Sequence, residues 1–292
     1  DLVLFGTPWP LLLLGPRLKR RGFRYASLVY GAETLLPSAL PGLREALARA
    51  LAEADLLLVI SQFTAGALRS LLEGKGRACP PIGLLRAQID LHRFHPGSGG
   101  PAARRALGVP PEAKVVLCFG RLVRRKGVHR LIEALPAIKQ HVPEAALVVA
   151  GTGPEERRLR RLAGNAGPVY FAGPVPEERA PGVYAAADVF VLPVADRWFG
   201  FEVEGLGVVL LEAAASGVPC IAGRSGGSPE AVRDGETGFV VDATDPDELV
   251  GRITWLLEDP DRGRDMGRAG RSFVENEFSA LKPPTALLEW LA

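Results

Sequence analysis

Residues 115–151 read VVLCFGRLVRRKGVHRLIEALPAIKQHVPEAALVVAG, and this stretch decides the fold. It begins and ends with apolar runs, VVLCFG and LVVAG, that have the length of buried strands. Between the runs, apolar residues recur at helical spacing over residues 128–140, which predicts an amphipathic helix. Because both strands are continuously apolar rather than alternating, this strand–helix–strand unit predicts a parallel sheet covered on both faces.

The same alternation of apolar runs and helical segments continues beyond this unit. Six strand candidates follow one another from residue 115 onward: VVLCFG, LVVAG, VYFAG, DVFVLP, PCIAG and GFVVD. Repeated strand–helix units of this kind predict a Rossmann-like, doubly wound α/β domain over residues 114–278.

A shorter version of the pattern occupies the first hundred residues. Its strand candidates are DLVLFG, FRYASLVY, ADLLLVIS and IGLLR, and Ser61 is placed to cap the helix after the third. A doubly wound domain usually has five or six strands, so residues 1–95 are expected to form a Rossmann-like domain that lacks its first strands. The start at Asp1, inside a strand candidate, favours a chain cut from a longer protein. Residues 96–113, rich in proline and glycine, are predicted to be a linker.

Composition and charge exclude several classes of protein. The 35 basic residues nearly match the 33 acidic ones, which argues against a nucleic-acid partner. Cys79, Cys118 and Cys220 are far apart and mostly embedded in apolar runs, which fits reduced thiols in a cytoplasmic protein. The four histidines have no metal-ligand spacing. The apolar run at Leu11–Leu14 is too short to span a bilayer and lacks the basic start of a signal peptide.

In doubly wound sheets, ligands bind beyond the carboxyl ends of the strands, so the loops there are the place to look for chemistry. The loop after VVLCFG is GRLVRRKG, residues 120–127, and it places four cations between a strand and a helix. Arg121 with its forked guanidinium and Lys126 as a point charge suit a diphosphate. The alternative is a solvated basic turn without a ligand.

The loop after DVFVLP carries a second group of polar residues. Gly205 and Gly207 precede the helix VVLLEAAAS, and glycines there let backbone N–H groups approach an anion at the helix N-terminus. Glu204 and Glu212 flank these glycines, and a carboxylate accepts hydrogen bonds from two vicinal hydroxyls, as a sugar offers. The alternative is that Glu204 is a charge at the helix N-terminus and that Glu212 faces solvent.

Two patterns resemble other sites but suit structural roles better. The Gly151–Gly153 turn lacks the third glycine and the acidic partner of a dinucleotide site, which favours a tight turn. Asp245-Pro246-Asp247 and Asp259-Pro260-Asp261 spell the Asp-x-Asp pattern of metal-dependent transferases, yet their prolines suit the first residue of a helix, so we predict helix caps. Cations and a helix N-terminus already offset a leaving diphosphate, and we therefore expect no metal cofactor.

These segments together resemble the retaining family 4 glycosyltransferases of the GT-B fold, and within them the phosphatidylinositol mannoside mannosyltransferases that use GDP-mannose. The likeness covers residues 1–278, and its strongest pieces are GRLVRRKG, AAADVFVLP, the E-x7-E signature EGLGVVLLE, and SGVPCIAGRSGGSPEAV followed by GETGFVV.

The resemblance implies a set of site residues. The catalytic residues would be Arg121, Lys126 and Glu204, with the two cations on the donor diphosphate and Glu204 near the transferred sugar. Glu212 would bind the nucleotide ribose. The other donor contacts would be Val175 beside the base and the backbone of Gly205, Leu206, Gly207 and Val208 on the phosphate or sugar.

Several positions depart from the family pattern. The glycine-rich loop after the family's first strand has no counterpart here. The His-Gly-x-Glu patch reads Tyr30-Gly31-Ala32-Glu33, so Tyr30 and Glu33 are the implied acceptor-side residues. The closing helix that returns to the first domain falls in residues 279–292 and is interrupted by Pro283-Pro284.

The leading hypothesis is retaining transfer of mannose from GDP-mannose to a glycolipid such as a phosphatidylinositol mannoside. Residues 9–24, WPLLLLGPRLKRRGFR, join an apolar run to five cations and suit contact with the inner face of the plasma membrane. The alternative for this segment is a buried helix whose basic end complements its dipole. Two other functions stay open: transfer from a UDP- or ADP-sugar to a soluble acceptor, and nucleotide-sugar binding without turnover.

Overall fold

The computed structural model describes residues 1–31, 40–280 and 283–292. The chain forms two compact units: the first comprises Asp1–Ala87, Asp196–Leu206 and Leu281–Ala292, and the second comprises Gln88–Ala195 and Gly207–Ala280. Each unit contains one parallel sheet.

The sheet of the first unit has four described strands in the order β1-β2-β3-β4. The strands are β1 (Leu2–Phe5), β2 (Arg24–Val29), β3 (Leu56–Val59) and β4 (Ile82–Leu84), and the helices are α1 (Gly15–Lys19), α2 (Pro41–Ala52) and α3 (Gln62–Glu73). All four strand candidates of the first hundred residues are confirmed. The cap is confirmed as well, because Thr64 N–H donates to Ser61 Oγ at 3.2 Å at the start of α3.

The sheet of the second unit has the strand order β10-β9-β8-β5-β6-β7. Its strands are β5 (Lys114–Phe119), β6 (Ala145–Ala150), β7 (Val169–Gly173), β8 (Val189–Leu192), β9 (Cys220–Gly223) and β10 (Gly238–Val241). Its helices are α4 (Gly100–Ala106), α5 (Val128–His141), α6 (Glu156–Ala163), α7 (Ala180–Ala185), α8 (Val208–Ala215), α9 (Pro246–Glu258) and α10 (Pro260–Phe278). The six strand candidates and the doubly wound α/β class are confirmed.

The inner strands of this sheet, β9, β8, β5 and β6, are buried on both faces, as their continuous apolar runs predict, whereas the edge strand β7 is half-buried. Val116 and Cys118 of β5 join a core cluster with residues of α5 and α9. Val115 and Leu117 point to the opposite face and are equally buried. Helix α5 contributes the four apolar residues of its predicted stripe, Leu131, Ile132, Leu135 and Ile138, all at most 1% exposed.

The boundaries of the units differ from the ranges drawn from the sequence. The predicted first domain extends to residue 95, but the second unit already begins at Gln88. There Ile89 N–H donates to the Phe278 carbonyl of α10 at 2.8 Å. The predicted linker contains α4, which Arg104 fixes to the second unit through an ion pair with Asp188 at 2.8 Å. These single polar contacts leave no periodic signal in the sequence.

Helix α11 (Thr285–Leu291) belongs to the first unit. Its Trp290 is 6% exposed and packs with Ala26 of β2 and Leu56 of β3. This cluster is separate from the one in which the same two strands pack against α2 and α3. Arg24 Nη2 donates to the Trp290 carbonyl at 2.7 Å. In the described part of the chain, no helix has the length and apolar character needed to cross a membrane.

Candidate functional site

The loops after β5, β6 and β7 meet at the carboxyl edge of the second sheet. Gly120 N–H donates to the Ala150 carbonyl at 3.0 Å, and Gly151 N–H donates to the Gly173 carbonyl at 2.8 Å. Gly151 has a φ of +115°, and a Cβ there would overlap the Gly120 carbonyl oxygen. The close backbone approach therefore requires glycine, in agreement with a tight turn at residues 151–153.

The loop after β5 also lies against the loop after β8. Gly127 has a φ of +73°, and an added Cβ would overlap the Pro193 carbonyl oxygen. Arg130 Nη1 donates to that same carbonyl at 3.2 Å, and Ala195 N–H donates to the Arg125 carbonyl at 3.4 Å. The sheet thus brings the GRLVRRKG loop and the start of the segment before α8 to one edge.

The cationic turn has a defined shape. Residues 124–126 form a 3₁₀ turn, and Arg124 pairs with Glu155 at 3.8 Å. Lys126 is half-buried, and its Cε lies 4.0 Å from the position a Cβ on Gly120 would take. Arg121 is exposed, and its guanidinium forms no ion pair with any residue in the described ranges. Both predicted phosphate ligands lie in this turn, and their binding role stays a prediction.

Helix α8 begins at the predicted glycine. Gly207 is the N-cap residue with φ +79° and ψ +55°, a left-handed conformation that favours glycine. Glycine has no side chain with which to cap the helix, so the first N–H groups of α8 are the candidates to bind an anion, and Val208 beside them is 40% exposed.

Glu212 lies on α8 and is held by a buried tyrosine. Tyr184 Oη donates to Glu212 Oε2 at 2.6 Å, and the Tyr184 ring stacks on Phe119 with a centroid distance of 5.1 Å. Burial raises the pKa of Glu212, while the Tyr184 hydrogen bond and the charge of Arg93 oppose that rise. Burial also raises the pKa of Tyr184 well above its ordinary value, so the hydroxyl stays a donor. Glu212 is therefore an oriented carboxylate and not a free surface charge.

Arg93 and Glu177 form an ion pair whose charges act on the pKa of Glu212. Arg93 Nη1 contacts Glu177 Oε1 at 2.7 Å, and Arg93 Nη2 donates to the Glu177 carbonyl at 2.9 Å. The positive charge of Arg93 lowers the pKa of Glu212, and the negative charge of Glu177 raises it. Val175 is half-buried in the same loop as Glu177. The predicted base and ribose contacts, Val175 and Glu212, both belong to the second unit, and their binding roles stay predictions.

Sequence reasoning did not identify Tyr184, Arg93 or Glu177. Tyr184 directly precedes the quoted AAADVFVLP motif, where an aromatic residue is indistinguishable from a core residue. Arg93 lies in a stretch without periodicity, and its contact with Glu177 spans 84 residues. No local pattern could have revealed these pairings.

The remaining predicted residues lie in the first unit. Glu204 is 8% exposed and Leu206 is 2% exposed. Gly205 packs against the backbone of Tyr30, because an added Cβ would overlap the Tyr30 carbonyl oxygen. Tyr30 itself is 43% exposed. The structure therefore brings the predicted acceptor-side residue Tyr30 onto the E-x7-E segment, whereas Glu33 lies outside the described residues.

Both Asp-x-Asp patterns are helix caps, as predicted. Asp245 Oδ1 accepts from the N–H groups of Asp247 and Glu248 at 2.9 and 3.2 Å at the start of α9. Asp259 Oδ1 accepts from Asp261 and Arg262, both at 3.1 Å, at the start of α10. Within the described ranges, no three His, Cys, Asp or Glu side chains are grouped as metal ligands. Independence from metal stays a prediction.

Two units with parallel α/β sheets, and a cationic turn and helix N-terminus at one sheet edge, define a glycosyltransferase of the GT-B class. Residues 101–273 match the family model "Glycosyl transferases group 1". The chain belongs to this family, the group 1 glycosyl transferases, and is a glycosyltransferase.

Several relatives match nearly the whole chain. The GDP-mannose-dependent alpha-(1-6)-phosphatidylinositol monomannoside mannosyltransferase of Mycolicibacterium smegmatis is 41% identical over 277 residues, which cover 94% of this chain and 72% of the relative. The corresponding enzyme for the monoacylated monomannoside in Corynebacterium glutamicum is 40% identical over 283 residues, covering 96% and 73%.

Solved structures of other glycosyltransferases share the fold. Sucrose-phosphate synthase from Thermosynechococcus elongatus superposes with a TM-score of 0.78 at 25% identity, covering 94% of this chain and 69% of that one. Anabaena HepE, solved with UDP and glucose, gives a TM-score of 0.79 at 22% identity, covering 95% and 74%. The similarity to HepE shows only that the two chains share a fold.

Proposed function

We propose that this glycosyltransferase transfers mannose from GDP-mannose, with retention, to a glycolipid hydroxyl of the phosphatidylinositol mannoside type. The observation that carries the proposal is the 41% identity to a GDP-mannose-dependent phosphatidylinositol monomannoside mannosyltransferase along 94% of the chain. The oriented Glu212 and the glycine-capped α8 give that likeness a physical basis, because both are suited to hold a nucleoside diphosphate sugar.

The second unit would bind the nucleotide. Tyr184 occupies Oε2 of Glu212, so Oε1 is the atom expected to accept a hydrogen bond from a ribose hydroxyl. Val175 would border the base. Arg121, Lys126 and the first N–H groups of α8 would meet the two phosphates. Each charge-assisted hydrogen bond of this kind contributes about 1.5–3 kcal/mol.

The same cations would act in the transfer step. The bond between the anomeric carbon and the diphosphate oxygen breaks, and GDP leaves with the electron pair. The acceptor oxygen bonds to the anomeric carbon and gives up its hydroxyl proton to the departing diphosphate oxygen. Negative charge grows on the diphosphate as this bond breaks, so Arg121, Lys126 and the α8 N-terminus stabilise the transition state more than the ground state. Glu204 and Gly205 would contact the transferred sugar, with Tyr30 and Glu33 on the acceptor side. No metal is required in this scheme.

A glycolipid acceptor calls for contact with a membrane surface, and we place this contact at the cytoplasmic leaflet. Leu11 and Leu14 are exposed, whereas Leu12 is buried, so the apolar run is only partly core. Lys19 pairs with Asp55 at 2.9 Å and is therefore partly neutralised. Arg17 and Arg20 are exposed and line an open cavity of about 540 Å³ with Arg49, Arg77 and Glu45. Arg77 pairs with Glu45 and Arg49 with Glu53, so Arg17 and Arg20 are the arginines proposed to meet anionic lipid.

The first experiment is calorimetric titration with GDP, UDP and ADP in the absence of divalent metal. We expect selective GDP binding that weakens roughly 10- to 100-fold in Arg121→Ala and in Glu212→Ala, since each change removes a charge-assisted hydrogen bond. Arg264→Ala is a matched control, because Arg264 is 62% exposed on α10 and pairs locally with Asp261.

The transfer assay then follows labelled mannose from GDP-mannose into phosphatidylinositol mannoside in vesicles. Selective binding of UDP or ADP would replace the mannosyl proposal with the alternative donor. GDP binding without transfer would leave a nucleotide-sugar-binding protein. Binding of no nucleotide would overturn the donor site altogether.

A further inference from the structure

Residues 197–202 form a tight hairpin, here called the aromatic hairpin, just before Glu204. Arg197 N–H donates to the Glu202 carbonyl at 3.0 Å, and Glu202 N–H donates back to the Arg197 carbonyl at 3.1 Å. Arg197 Nη1 also pairs with Glu202 Oε2 at 2.9 Å. The base of the hairpin is thus closed by two backbone hydrogen bonds and one ion pair.

The tip presents two aromatic side chains to solvent. Phe199 is 104% exposed and Trp198 is 56% exposed. A phenyl ring that is as accessible as in an extended peptide gains nothing from the fold of its own unit. The hairpin therefore holds apolar surface outward for something other than the core.

The backbone of the tip is strained to achieve this arrangement. Trp198 has a φ of +50° and Phe199 a φ of +57°, and among the described residues these are the non-glycine residues with positive φ. Bulky side chains disfavour this left-handed region, and such strain persists only where the surrounding structure enforces it. Two adjacent aromatic residues in this conformation, above a hairpin base closed by hydrogen bonds, indicate that the exposed position of their side chains serves a function.

The shape and chemistry of the tip indicate what covers it. A sugar binds in a concave site with several convergent polar groups. The hairpin tip instead protrudes, and the fully exposed Phe199 side chain has no polar atom. A protruding apolar tip is suited to insertion into the apolar part of a lipid bilayer. Tryptophan prefers the interface between lipid and water, and the Arg197 guanidinium, held by Glu202, lies 5.1 Å from the centre of the Trp198 ring.

We propose that the Trp198–Phe199 tip inserts into the surface of the membrane that holds the acceptor. The inference rests on the proposed function for its glycolipid acceptor. Since Glu204 lies two residues beyond the end of the hairpin, an inserted tip would hold the Glu204–Gly205 segment at the depth of the glycolipid headgroups.

The test measures binding of the whole chain to vesicles of phosphatidylcholine and phosphatidylinositol, with and without brominated acyl chains. We expect bromine to quench tryptophan emission in the wild type and to quench it less in Trp198→Asn, in which Trp9 of the apolar run keeps its own share of the effect. Phe199→Asn should weaken vesicle binding by about tenfold, as expected for exposing a buried aromatic ring to water again. Asparagine tolerates positive φ, so neither variant should lower the thermal midpoint.

Leu288→Gln is the matched control, because Leu288 is 53% exposed on α11 of the same unit. Vesicle binding that is unchanged in both hairpin variants, or equally weakened in Leu288→Gln, would overturn the proposal. So would an equal loss of transfer to membrane-bound and deacylated acceptors, which would assign the hairpin to the sugar. GDP titration reports separately on the proposed function, because its result does not depend on vesicles.

Discussion

Replacing Tyr184 with phenylalanine tests how the site controls its nucleotide ligand. The change removes one hydroxyl that donates to Glu212 Oε2 at 2.6 Å, while the ring keeps its packing against Phe119. A hydrogen bond to a charged group contributes about 1.5–3 kcal/mol. If roughly half of that differs between the free and the ligand-bound protein, GDP affinity falls about 3- to 13-fold at neutral pH.

The pH dependence gives this prediction a second readout. The Tyr184 hydrogen bond lowers the pKa of Glu212 against the effect of burial, so its removal raises that pKa further. A protonated Glu212 is a poorer acceptor for ribose hydroxyls. The loss of GDP affinity on acidification should therefore begin at a higher pH in Tyr184→Phe than in the wild type, measured by calorimetry across the acidic range.

A double-mutant cycle separates positioning from general loosening of the fold. In a Glu212→Ala background, Tyr184→Phe should cause no further loss of GDP affinity, because its only route to the ligand has gone. Full additivity of the two changes, or wild-type affinity and pH dependence in Tyr184→Phe alone, would refute the reasoning.

Three further predictions concern stability. Because burial raises the pKa of Glu212, the ionised carboxylate lowers the stability of the fold at any pH above that pKa. Glu212→Gln should therefore raise the thermal midpoint near pH 7.5. This gain should vanish as the pH falls below the ordinary pKa of glutamate. Gly205→Ala should lower the free energy of unfolding in urea by about 1–3 kcal/mol, because the added Cβ overlaps the Tyr30 carbonyl. Gly66→Ala is the control: a Cβ meets open space there, inside α3, and the change should raise the free energy of unfolding by up to ~1 kcal/mol. Asp245→Ala should cost about 1 kcal/mol by the same assay through loss of its cap, and no change would contradict that role.

Much of the fold could be predicted because its signals are local. The strands of the second unit are short apolar runs, and the stripe of α5 repeats at helical spacing. Caps such as Ser61 and Asp245 lie next to the helices they begin. The assignment of Gln88 and the residues after it to the second unit could not be predicted, since it depends on contacts such as that between Ile89 and Phe278.

The candidate site also contains residues that local signals predict and residues that depend on tertiary contacts. Arg121, Lys126 and Gly207 follow strand ends or begin a helix, so the rule for doubly wound sheets locates them without any tertiary information. The contact between Tyr184 and Glu212 spans 28 residues and joins two helices, and nothing in either segment alone indicates it. The Tyr184 contact and partial burial argue against a solvent-facing charge at Glu212, while its contact with a ligand stays a prediction.

The first unit is assembled from three separate stretches of chain, and this affects how the enzyme can be recombined with relatives. The peptide bond between Leu206 and Gly207 passes from one unit to the other within the E-x7-E signature. A chimera with a single junction near residue 95 would combine Glu204 and the aromatic hairpin of one parent with Tyr30 of the other. An exchange of nucleotide specificity should instead transplant residues 88–195 and 207–280 as two inserts, so that each unit keeps the residues with which it folds.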